Sequence, residues 1–150
     1  MADLILNEWV WADALGENGI ELQKQTFRLL ERLASRLDRI VVVRGSSFHQ
    51  KAWKLCIASS RPSLEMAKFF KLNFLYNSRN CLILDEQSLP PFPSNLGGVN
   101  PDDHYLVQAQ LAVPGSLIVT TDAPLKTALD GHGIPCELRD AFVNRYLSEG

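Results

Sequence analysis

Short apolar runs alternate along the chain with stretches of helical period. Leu4-Ile5-Leu6 reads as a strand at the start, followed by a loop around Gly16 and Gly19. Residues 20–37 have the spacing of an amphipathic helix, with Leu22, Thr26, Leu29, Leu30, Leu33 and Leu37 on one face. Arg39-Ile40-Val41-Val42-Val43 is a β-branched run of the kind found in buried parallel strands. Gly45-Ser46-Ser47 ends it and opens a helix near residues 47–57. Ser60-Arg61-Pro62 starts the next helix, with proline in its first turn; the apolar positions Leu64, Ala67, Phe70, Leu72, Phe74 and Leu75 carry it to about Tyr76. Asn77-Ser78 stops it before a third strand, Cys81-Leu82-Ile83-Leu84.

The segment Asp85 to Val99 contains Pro90, Pro91, Pro93, Gly97 and Gly98 and is expected to be irregular. Loops of this length are uncommon and often functional, so a lid, a partner surface and plain linkage are all open. Asn100 fits the N-cap of the following helix, Pro101 its first position and Asp103 the capping-box position. Leu117-Ile118-Val119-Thr120 is a fourth strand, a helix spans about Pro124 to Asp130, and Cys136-Glu137-Leu138 is a fifth strand before a last helix at about 139–148. Strands alternating with helices predict a three-layer α/β/α domain around a mainly parallel five-stranded sheet.

The length of 150 residues, 46% of them hydrophobic, implies one domain with a core large enough to need neither disulfides nor a structural metal. No apolar run is long enough to span a membrane, and the acidic opening MADLILNEWVW is unlike a secretion signal, so a cytoplasmic location is expected. Cys56, Cys81 and Cys136 are odd in number and far apart, which suits small buried hydrophobes in a reducing compartment. The net charge of −2 conceals an asymmetry: residues 24–79 hold 12 basic and three acidic residues, a balance of +9, and the rest of the chain carries −11. Such a segment either meets an anionic partner or is a solvated face balanced by acids elsewhere in the fold. Lys24, Arg28, Arg32 and Arg36 fall four apart along one helix face, a mildly repulsive ridge unless something anionic covers it.

In an open parallel sheet the site lies beyond the carboxyl ends of the strands. Asn7 and Glu8 follow the first strand, Arg44 and Ser46 the second, Asp85 and Glu86 the third, and Thr121 and Asp122 the fourth. Clustered carboxylates with few histidines suit a hard divalent cation, Mg²⁺ or Mn²⁺. Asp102 shares a helical stripe with Leu106, Ala109 and Val113 and is therefore expected to point toward the core side, where a carboxylate needs a partner. A simple dipole-favoured acid describes Asp103 better. Asp122 is either a site acid or the cap of the helix that follows.

The stretch Asp102-Asp103-His104-Tyr105-Leu106-Val107-Gln108-Ala109, followed by Leu117-Ile118-Val119-Thr120-Thr121-Asp122 and Leu125, resembles the C-terminal half of PIN domains. Those have an acid at a helix start, an alanine seven residues on, and an apolar strand ending Thr-x-Asp. The resemblance is specific over about 25 residues. It implies a Mg²⁺- or Mn²⁺-dependent ribonuclease, many of which are toxins held by an antitoxin protein and many of which pair into homodimers. It makes Asp102 and Asp122 metal-site acids and Thr120 a supporting hydroxyl, with Asp103 and Glu8 nearby. Two positions depart from the family: Asn7 stands where it has an aspartate after the first strand, and the early-helix glutamate has no counterpart except Glu65, which is equally a surface acid beside Lys68. Each missing carboxylate weakens a metal site. The expected catalytic set is Asp102, Asp122, Asn7 and Glu65, with Lys24, Arg28, Arg32, Arg36, Arg44 and Lys51 toward RNA. The alternative is a non-catalytic PIN-like module that binds RNA or a protein partner through the basic 24–79 segment.

Other residues offer less. His49, His104 and His132 lack partners at metal spacing, and no phosphate-cradling glycine motif is present. Trp9, Trp11 and Trp53 are either base-stacking platforms or core aromatics, the core reading being strongest for Trp53.

Overall fold

A computed structural model describes residues 2–56 and 61–149. Ser60 and the side chain of Cys56 lie outside the described residues. The elements are β1 (Asp3–Leu6), α1 (Trp9–Ala14), α2 (Ile20–Arg36), β2 (Arg39–Val43), α3 (Ser47–Cys56), α4 (Arg61–Phe70), β3 (Cys81–Leu84), α5 (His104–Ala112), β4 (Leu117–Thr120), α6 (Ala123–Asp130), β5 (Cys136–Leu138) and α7 (Arg139–Ser148). The strands form one all-parallel sheet in the order β3-β2-β1-β4-β5. Leu4 is in register with Ile40 on one side and Leu117 on the other, Ile40 with Cys81, and Ile118 with Cys136. The architecture is three-layer α/β/α, as the alternation of apolar runs and helical stretches predicts.

Strand alternation divides the core in two. Leu4, Leu6, Ile40, Val42 and Val119 face α1, α2, α3, α4 and α7, where the largest buried side chains include Phe70, Phe74 and Phe142. Ile5, Val41, Val43 and Ile118 face α5 and α6 through Leu106, Ala109, Leu125 and Leu129. Each strand is buried on both sides, which is why the sequence shows continuous apolar runs rather than alternation. Among the described residues no helix is long and apolar enough to cross a membrane.

Four differences from the sequence reading have local causes. The segment after β1 contains a helix, α1, whose Trp9 and Trp11 are buried; their indole N–H groups donate to the carbonyls of Val119 at 2.9 Å and Phe48 at 3.2 Å. Trp53, the tryptophan expected in the core, is the exposed one and donates to His49 Nε2 at 3.0 Å. Leu37 leaves the apolar stripe: it caps α2 in the left-handed region at φ 62° and is exposed, which turns the chain sharply into β2. The helix that begins at Arg61 changes at Lys71–Leu75 into a π-helical turn.

Asp85–Val99 is fastened rather than free. Leu96 is buried in the α5/α6 core, Phe92 stacks on His104 with centroids 3.6 Å apart, and Gln108 donates to the Pro90 carbonyl at 3.0 Å. The loop serves as a cover for that layer. At the other turn of interest, Gly45 takes φ 83°, a conformation that lets β2 pass directly into α3 without a side-chain clash.

Candidate active site

The chain runs outward from β1 through β2 to β3, then returns to place β4 on the other side of β1. The carboxyl ends of β1 and β4 therefore bound the topological switch point, where the flanking loops diverge and leave a crevice. A cleft of about 690 Å³ lies there, lined among others by Asn7, Glu8, Lys51, Asp102, Asp103 and Asp122. Six residues expected at the site from sequence (Asn7, Glu8, Thr120, Asp102, Asp103 and Asp122) meet at this edge, five on the cleft wall and Thr120 just beneath it.

Asn7 leaves β1 and bridges to β4: its Nδ2 donates to Thr120 Oγ1 at 3.4 Å, while its Oδ1 accepts from the Glu8 N–H at 2.7 Å. Thr120, fully buried, also accepts from the Asp122 N–H at 3.1 Å. Asp122 is both things the sequence allowed. Its Oδ1 accepts from the Leu125 N–H at 3.1 Å and caps α6, and its side chain reaches the cleft.

The lead into α5 corrects one expectation. Asn100 caps the turn by accepting from the Asp102 N–H at 3.0 Å, with Pro101 at the first position, as read from sequence. The turn Pro101–Asp103 is a 3₁₀ helix, however, and α-helical geometry begins only at His104. Tighter winding breaks the extrapolated stripe, so Asp102 is exposed rather than core-facing and Asp103 is the half-buried acid. Asp103 makes no side-chain cap bond, so its expected capping-box role is not used. Burial, followed by the charges of Asp122, Asp102 and Glu8, pushes its carboxyl above the usual range, against a smaller opposing effect of His104. Four carboxylates thus share one electrostatic environment.

One cation answers them. Lys51 Nζ lies 2.8 Å from Glu8 Oε2. Burial alone would push Glu8 up, but hydrogen bonds from Lys51 and Ser47 and the charges of Lys51 and Lys54 outweigh it and hold the carboxyl below its ordinary value. Lys51 was read from sequence only as part of a basic stretch. The signal that it belongs to the cleft is its place one turn after Ser47, on the helix that follows β2.

Glu65 is not at this site. It sits on the outer face of α4, paired with Arg61 at 3.1 Å, and lines a separate groove with Phe27 and Phe69. The basic residues are also divided. Lys24 and Arg28 are exposed on α2, but Arg32 and Arg36 donate to the carbonyls of Leu147 and Glu149 at the end of α7, and Arg36 lies over the Tyr146 ring. Arg44 pairs with Asp85 at 2.5 Å beside Glu86, at the ends of β2 and β3. The ridge is thus partly spent on holding α2 to α7. Cys81 and Cys136 are free and buried, and burial raises their thiols to about 12 and about 11, so both stay protonated.

The fit of a divalent cation can be judged from these groups. The donors are all oxygens, and the excess negative charge that raises Asp103 is what a cation would relieve. Among the described residues no three His, Cys, Asp or Glu side chains are grouped as a complete metal cage. The arrangement suits Mg²⁺ or Mn²⁺ held by one or two carboxylates and otherwise by water, the habit of Mg²⁺ at phosphate-processing sites. No protein-family model matches the chain, and no curated protein matches its sequence.

Proposed function

We propose that the chain is a PIN-like, divalent-cation-dependent endoribonuclease with a weakened cation site. The observation that carries this reading is the convergence of Glu8, Asp102, Asp103 and Asp122 with Asn7 on one cleft at the switch point of the sheet. Asp102 and Asp122 would hold the cation, with the Asn7 carbonyl as a neutral neighbour. A bound Mg²⁺ or Mn²⁺ supplies charge stabilisation to the transferring phosphate and lowers the pKa of water. Asp103, raised by its acidic neighbours, is suited to accept a proton from an attacking water near neutral pH. Thr120 orients the site by bonding both Asn7 and the Asp122 backbone. Lys24 and Arg28, exposed on α2, are available to the RNA backbone, a salt-sensitive and sequence-blind contribution.

A second reading is favoured by a specific observation: the cleft partly neutralises itself. Asn7 is committed at both ends of its amide and Glu8 is engaged by Lys51. A domain of that kind would bind RNA or an antitoxin-like protein partner through its basic segment without cleaving, as a monomer or a homodimer in the cytoplasm.

Mn²⁺ titration by calorimetry, with RNA cleavage assayed in the same buffer, separates the two. In the nuclease reading the wild type binds and cleaves, and Asp102→Asn/Asp122→Asn loses both. A folded wild type that neither binds Mn²⁺ nor cleaves leaves the binding module.

A further inference from the structure

Lys51 is the one basic side chain on the wall of a cleft that also carries Glu8, Asp102, Asp103 and Asp122. We infer that Lys51 is a tethered counter-cation that regulates this site, holding Glu8 in an ion pair that an incoming divalent cation has to open. The inference rests on the cation-site reading above and names what limits it.

Three features support a latch rather than a fixed strut. The contact is a single 2.8 Å ion pair whose side chains remain 48% and 34% exposed, and pairs this exposed are weak and open readily. Lysine presents a point charge on a flexible stem, so opening needs only rotamer changes in Lys51, with α3 in place. Glu8 is also within reach of the other acids electrostatically, since its charge acts on Asp103, so a released Glu8 becomes an additional oxygen donor on the same wall. With the latch closed, the cation meets Asp102 and Asp122 and a neutral Asn7. With it open, the site gains one carboxylate and loses one competing positive charge. A released ammonium is at the same time free to meet a phosphate oxygen of the substrate, so cation and phosphate assist one another's entry.

Mn²⁺ calorimetry on the full chain tests this without reference to cleavage. The variants are Lys51→Gln, Lys51→Gln/Glu8→Gln, and Lys54→Gln, which removes a charge from the same helix without touching the ion pair. Circular dichroism checks that each is folded. Lys51→Gln is expected to bind Mn²⁺ roughly fivefold or more tightly than wild type, the scale of one unit charge a few ångströms away in water. The double variant loses that gain, and Lys54→Gln shows a smaller one. If wild type binds and Lys51→Gln binds no more tightly, the latch is overturned and the cation site stands. An equal gain in Lys54→Gln overturns it too, in favour of a general field effect. If no folded variant binds Mn²⁺, both the latch and the cation site fall.

Discussion

Asn7 and Thr120 join the first and fourth strands at the edge of the cleft, the Asn7 Nδ2 donating to Thr120 Oγ1 at 3.4 Å. The amide suits this position because the Thr120 oxygen also accepts from the Asp122 N–H. An aspartate at position 7 would reverse the bond, with the threonine hydroxyl turning to donate. It would also add a fifth carboxylate to a cleft that has four.

Asn7→Asp is therefore expected to lower the melting temperature in EDTA, by the roughly 1 kcal/mol scale of an added like charge, and to recover or exceed wild type when Mn²⁺ is added. Thermal melts with and without Mn²⁺ measure this. An Asn7→Asp protein whose melting temperature ignores Mn²⁺ would show that the residue after β1 has no part in cation binding.

Asp122 has two roles that two substitutions separate. Asparagine is as good an N-cap as aspartate, so Asp122→Asn keeps the bond to the Leu125 N–H and loses only charge. Asp122→Ala loses both, at an added cost of about 1 kcal/mol. Both variants are expected to lose Mn²⁺ binding, but only Asp122→Ala should shift the urea midpoint. Equal midpoints would mean that the cap contributes little to α6.

Much of the frame is legible in the sequence because buried parallel strands must be apolar on both faces; the runs at Leu4–Leu6, Arg39–Val43 and Leu117–Thr120 have no other economical reading. The sheet edge that carries the acids followed from strand order alone. What the sequence hid depended on geometry finer than a period. One 3₁₀ turn exchanged the environments of Asp102 and Asp103. Two indole N–H groups finding carbonyl partners put Trp9 and Trp11 inside, while Trp53 stayed out. Glu65 and Lys51 could not be told apart as site candidates, because charge type pointed to the glutamate and only the packing of α3 points to the lysine. The basic ridge looked continuous because its tie to the end of α7 spans more than a hundred residues.

The two shifted acids give opposite pH dependences. Asp103 is raised in the folded state, so its ionisation costs stability as pH rises from the ordinary carboxyl range through the raised value. Asp103→Asn is expected to match wild type at acid pH and to be more stable at neutral pH. Glu8 is lowered, so its contribution is present above the ordinary value and lost as pH falls through the folded one. Glu8→Gln should be less stable than wild type at neutral pH, the gap closing in acid. Both groups are partly solvated, so each effect is a few tenths of a kcal/mol to about 1 kcal/mol. Urea midpoints at a series of pH values check both signs; a common sign would contradict the arrangement of charges in the cleft.

Asp13 and Arg139 form the deepest ion pair, Arg139 Nε donating to Asp13 Oδ2 at 2.8 Å with the side chains 4% and 2% exposed. Arg139 also bonds Gln25 and Asp140, lies 5.5 Å from the Trp9 ring, and has one amino group, NH2, without a partner. Asp13 accepts from Asn18 at 2.7 Å. Trp9 and Asn18 are themselves on the cleft wall, so this pair fixes the α1 side of the site. Removing one partner strands a buried charge, and Arg139→Met is expected to cost about 3–5 kcal/mol, a large share of the stability of an ordinary domain. Asp13→Leu/Arg139→Met removes both charges and should recover most of that loss. A double variant no more stable than Arg139→Met would mean that Gln25, Asn18 and the Trp9 contact, rather than the charge pair, hold α1 to α7. Mn²⁺ affinity in the recovered double variant then tells whether the wall of the cleft has kept its shape.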